Sequence, residues 1–84
     1  MKRTKRIKTI LLKHLKNFDI SVIDNSNFHK GHNGFNGIGE THILIELKRN
    51  LILNINRLDL HKKINLLLKD EFDTGLHSLQ IKII

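Results

Sequence analysis

The sequence predicts a small α+β domain, a three-stranded sheet with helices on one face in the order α-β-β-α-β. Three observations carry this. Two segments, around Ile7 to Phe18 and Leu60 to Phe72, repeat apolar residues at helical spacing. Three others, 20–23, 41–48 and 76–84, are short, aliphatic and in two cases alternating. The second helical stripe lies between the last two strands. A strand–helix–strand crossover is right-handed in nearly all cases, so those strands are expected to run parallel with the helices on one face.

The first helix spans 5–18, where Ile7, Ile10, Leu11, His14 or Leu15, and Phe18 line one face and the lysines and arginines fall mostly on the other. Ile20–Ile23 is β-branched and flanked by Asp and Ser, hence a strand. Asn25–Gly39 is a loop with four Gly and four Asn, residues that accept sharp turns. A loop of this length is unusual in a small domain and is often functional. Thr41–Lys48 alternates, with Thr41, Ile43, Ile45 and Leu47 on the apolar side and His42, Leu44, Glu46 and Lys48 on the other. Arg49–Ile55 is a connector with room for a short helical turn. Asn56 offers a helix cap with Asp59 three residues on. Leu60, Ile64, Leu67, Leu68 and Phe72 form the second stripe, and Asp73-Thr74-Gly75 stops it. In the last strand His77, Leu79, Ile81 and Ile83 share one face.

The chain has 84 residues, so one domain over 1–84 is the natural count, with residues 1–6 as a candidate disordered basic start. A domain of this size buries roughly 60–65% of its unfolded surface. That leaves no room for both an enclosed cleft and a filled core. Cysteine is absent, so disulfides play no part and a metal would need His, Asp, Glu or a partner's thiolate. No apolar run is long enough to cross a bilayer. The net charge of +7 is concentrated: residues 1–16 hold seven Lys/Arg and no acid, while the rest balances. This basic helix reads as a solvated back, a contact for nucleic acid through Lys5 and Lys8 with Lys62 and Lys63, or a targeting peptide.

Six histidines are the main chemical resource. His29 and His32 stand at H-x-x-H spacing in the Gly/Asn loop, where two imidazoles can face one metal but nothing forces them to. His77 lies just before the last strand. His42 reads as structural or solvent-facing, and His61 and His14 as packing residues. Gly31–Gly34 and Gly34–Gly37 match a GxxG phosphate clamp, a pattern that any Gly-rich loop produces. No nucleophile–base pair stands at usable spacing, so the chain is not read as an enzyme.

Taken in order, Val22-Ile23-Asp24-Asn25-Ser26, His29-Lys30-Gly31-His32, Gly39-Glu40-Thr41-His42, Arg57 with His61-Lys62, Asp70-Glu71-Phe72 and Leu76-His77-Ser78-Leu79 resemble the BolA family, of the type with a histidine loop. The resemblance covers nearly the whole chain. It implies an α-β-β-α-α-β fold related to class II KH domains, the extra short helix falling in the 49–55 connector. It also implies a partnership with CGFS-type monothiol glutaredoxins and a shared [2Fe-2S] cluster. Thiolates would come from the glutaredoxin and from glutathione. The ligands on this side would be His77 and a loop histidine. Counting forward from Asp24 selects His29 and counting back from His42 falls nearer His32, so both are candidates. No cofactor is expected in the isolated chain, which would be a cytoplasmic monomer or weak dimer away from membranes. Mixed ligation with histidine makes a cluster less reducing, which suits a carrier or sensor. The family's other implied role is transcriptional, through DNA. Leu60-His61-Lys62 stands where the family often has Arg-His-Arg, which weakens that role here. Asn54 replaces a family glycine, a mild change because Asn tolerates positive φ.

Overall fold

The computed structural model describes residues 2–26, 41–50 and 54–84. Six elements follow in order: α1 (Arg3–His14), β1 (Phe18–Asp24), β2 (His42–Arg49), α2 (Arg57–Leu67), α3 (Lys69–Asp73) and β3 (Ser78–Ile83). The sheet order is β1-β2-β3. β1 pairs antiparallel with β2, from Phe18 opposite Arg49 to Asp24 opposite Ile43. β3 pairs parallel with β2, from Ser78 beside His42 to Ile83 beside Leu47. The expected crossover and the α+β class are both present. Among the described residues no helix is long and apolar enough to cross a membrane.

The two-residue period of β2 builds the core. Ile43, Ile45 and Leu47 are buried and meet Ile7, Leu11 and Leu15 from the first segment and Ile64, Leu68 and Leu76 from the second. Leu79, Ile81 and Ile83 extend this face as half-buried neighbours. The helix start at Asn56 is as read: its side-chain oxygen accepts from Asp59 N at 3.1 Å.

Several boundaries differ from the expectation. α1 begins at Arg3, so Arg3–Arg6 are helical rather than a disordered start. Leu15, not His14, takes the buried place at its end. Phe18 opens β1 instead of closing the helix stripe. A short helix, α3, follows α2 directly, while residues 51–53 of the 49–55 connector, where the extra helix is expected, lie outside the described residues. The second stripe breaks at Leu68, whose φ of −103° and ψ of 14° depart from helical values. The break swings the next turn, so Glu71 faces inward and Phe72 is 37% exposed.

Glu71 has cationic partners. Arg6 grips its carboxylate with two bonds, Nε to Oε2 at 3.0 Å and Nη2 to Oε1 at 2.8 Å. Arg3 donates Nη1 to the Glu71 carbonyl at 2.7 Å and to Oε1 at 3.2 Å, and Nη2 to the Thr74 carbonyl at 3.0 Å. The first turn of α1 carries no acid and no side-chain cap, and its cations oppose the helix dipole. The Glu71 carboxylate supplies the missing negative charge from the far end of the chain. Its pKa is held below the usual carboxylate value, chiefly by the Arg6 hydrogen bonds, with burial working the other way. Gly75 completes the corner with φ of +120°, and a methyl group there would sit 3.4 Å from Arg3 Nη2.

Candidate functional site

One end of the sheet gathers the termini of all three strands. β1 leaves it at Asp24, β2 enters at His42 and β3 enters at Ser78. The chain from 27 to 40 departs from and returns to this end. Its two flanks are clipped together. Asp24 Oδ1 accepts from Ser26 N at 2.9 Å, an Asx turn that folds Ser26 back over the strand end. Ser26 is fully buried, and its Oγ accepts from Thr41 N at 2.9 Å and His42 N at 3.3 Å. Asn25 N donates to the His42 carbonyl at 2.8 Å.

Thr41 carries the connection to β3. Its carbonyl accepts from both His77 N, at 2.8 Å, and Ser78 N, at 3.1 Å. Two successive amides therefore share one acceptor, and the two-residue alternation of β3 does not extend back through His77. This is why His77 is exposed, whereas its spacing from Leu79, Ile81 and Ile83 places it on the apolar face. The Thr41 hydroxyl lies 2.9 Å from His42 Nδ1. The half-buried His42 ring in turn meets the His77 ring at 5.9 Å between centroids, the planes crossed at 74°.

Of the expected ligands, His77 stands at this end, while His29 and His32 lie outside the described residues, as do both GxxG matches. At most about 3.6 Å per residue, the His29 backbone is within roughly 11 Å of Ser26 and that of His32 within roughly 22 Å. His61 is elsewhere, half-buried along a groove with Arg57, Leu58, Ile81 and Ile83. His14 is exposed beside a second groove formed with Phe18, Ile55 and Leu60. Among the described residues no group of three or more His, Cys, Asp or Glu could hold a metal ion. The described part of the site can therefore supply a share of a coordination shell and not a complete one.

Lys5 and Lys8 on α1, and Lys62 and Lys63 on α2, are all exposed. Arg3 and Arg6 are engaged by Glu71, which withdraws two of the seven cations that make the first segment basic.

Sequence reading assigned no role at this site to Ser26, Thr41 or the ring contact of His42. The signal available was register: a parallel β2–β3 pair that starts level at both strands puts His42 beside the residues that open β3.

A family model described as BolA-like protein matches residues 11–84. UV-induced protein uvi31 of Schizosaccharomyces pombe is 37% identical over 84 residues, spanning 96% of this chain and 82% of that protein. Among solved structures, BolA1 from Arabidopsis thaliana superposes with a TM-score of 0.78 at 30% identity, covering 99% of this chain and 90% of that one. The BolA domain of SufE1 from the same plant gives 0.78 at 33% identity, covering 96% and 88%.

Proposed function

The chain belongs to the BolA-like family, and on that premise we propose that it is a non-enzymatic, cytoplasmic partner of a CGFS-type monothiol glutaredoxin. The pair would share a [2Fe-2S] cluster in iron–sulfur trafficking or iron sensing. One observation carries the reading: an exposed imidazole, His77, beside the clipped base of a loop that contains two more histidines.

The donor set fits half of such a site. Imidazole is a neutral nitrogen donor, and the chain has no thiol of its own. His77, with His29 or His32, would hold one iron, and the glutaredoxin and glutathione thiolates the other. The cluster, when bound, supplies a centre that can be handed on or whose occupancy can be read. The chain's own part is to hold the His77 backbone rigidly through Thr41 and to present the loop from a fixed base at Ser26. The presence of a BolA domain within SufE1 accords with a fold that works as a joined or partnered module.

The test is anaerobic reconstitution with a CGFS glutaredoxin, glutathione and a cluster source, followed by visible circular dichroism. A spectrum distinct from that of the glutaredoxin's own bridged dimer is expected, and His77→Ala should lose it while keeping its fold. An unchanged spectrum in His77→Ala would sink the assignment. Steeply salt-dependent binding to DNA that ignores His77 would favour the nucleic-acid reading of the same fold.

A further inference from the structure

We propose that β3 is a docking edge for an extended peptide of alternating apolar and acidic residues, which joins the three-stranded sheet as a fourth strand. β3 ends the strand order, so one of its sides meets no other strand among the described residues. Ser78 N donates to the Thr41 carbonyl at 3.1 Å, and Ile84 N to the Leu47 carbonyl at 2.8 Å. These two residues are an even number apart, and backbone groups alternate in direction along a strand. The N–H and C=O groups of Leu79, Ile81 and Ile83 therefore point to the free side. They form a row on which another strand can pair.

The side chains flanking that row select the partner. On the helix side, the half-buried Ile81 and Ile83 share a groove with Arg57, Leu58 and His61 of α2. Leu58 is 63% exposed, so most of its apolar surface is left to a ligand. No acid lines this groove among the described residues. On the opposite side of the sheet, Gln80 and Lys82 are exposed. Lys82 stands beside Glu46 in the parallel register, yet the two form no ion pair. A strand laid along this edge sends its side chains alternately to the two sides. One set meets Leu58, Ile81 and Ile83, which favours apolar residues. The other set passes Lys82, where a carboxylate makes a favourable cross-strand pair. A second copy of the chain suits the edge less well. It would bring another Arg57 and Lys82 to the same place, and each copy carries a net charge of +7.

The site uses neither His77 nor a cluster, so its test is separate from the reconstitution above. The probe is a capped six-residue peptide of alternating Glu and Val, matched to the length of β3. It is titrated into the full chain and followed by amide NMR shifts. Saturable binding is expected, with the largest shifts at Leu58, Leu79, Ile81 and Ile83. A paired strand turns only every second N–H toward its neighbour. N-methylation of one alternate set of peptide residues should therefore abolish binding, and that of the other set should spare it. Leu58→Ser should weaken binding roughly tenfold, through the apolar surface no longer covered. Lys82→Gln should weaken it roughly threefold and lessen its salt dependence. His77→Ala should bind as the parent does. Equal binding of a peptide with its Glu and Val in separate blocks, or equal effects of the two N-methylated sets, overturns the proposal. So does an absence of shifts in β3. A dimer that forms through β3 without peptide gives the edge to a second copy and overturns it as well.

Discussion

The Ser26 side chain contributes to the molecule through a single oxygen. That atom accepts two backbone amides from the start of β2, and the residue is inaccessible to water. Alanine in its place leaves both amides without this acceptor in a buried setting. An unsatisfied buried group costs about 1–3 kcal/mol, so Ser26→Ala should lower the unfolding free energy by about 2 kcal/mol in urea titrations. A loss below about 0.5 kcal/mol would mean that water replaces the hydroxyl and the loop base is open. The neighbouring Thr41 and His42 illustrate what single-residue reading cannot see. Their residue types are unremarkable in an alternating strand. Their importance comes from a carbonyl shared with His77 and a ring contact, both consequences of register between strands distant in sequence.

At the level of elements, the least expected feature is the join between α1 and α3. Periodicity alone treats Leu60 to Phe72 as one helix and Phe72 as its last apolar contact. The break at Leu68 replaces that contact with a buried carboxylate and its two guanidinium partners. Removing one member of such a buried pair costs about 3–5 kcal/mol, because the remaining charges lose compensation. Glu71→Gln should therefore destabilise the fold by about 3 kcal/mol at neutral pH. The pH dependence follows from the lowered Glu71 pKa. A depressed folded-state value means that the stabilisation is complete above the unfolded carboxylate value, about 4.3. It is lost as pH falls through the folded value. The parent should thus exceed Glu71→Gln in stability by a constant margin above about pH 5, and the margin should shrink as pH falls below about 4.3. A margin that does not narrow in acid would remove Glu71 from the account.

Across the whole molecule, β2 is the central strand, bonded on both sides and buried at every second residue. Its amides should exchange with solvent by global opening only and be the slowest in the chain. Faster exchange in β2 than in α2 would place the stable unit in the helices. How much of this was legible in the sequence follows from the range of each interaction. The strands, the parallel crossover, the Asn56 cap and the Ile43–Ile45–Leu47 face depend on local chemistry and period, and all were readable. The place of the short helix, the inward turn of Glu71 and the exposure of His77 depend on partners more than 30 residues away. Arg3 and Arg6 illustrate the same limit, since a basic, acid-free segment resembles a solvated or nucleic-acid-binding face until its counter-charge is found 65 and 68 positions later.

That separation also sets an order of events during synthesis. Translation runs at about 5–20 residues per second, so the ribosome delivers Arg6 roughly 3–13 s before Glu71 exists. Through that interval the first segment is a cation-rich, carboxylate-free peptide without the Glu71 carboxylate. Stalled chains ending before residue 71 should be cut by trypsin at Arg3 and Arg6, whereas released chains should resist at both. Protection of the stalled chains would mean that α1 docks on the first two strands without its distant acid.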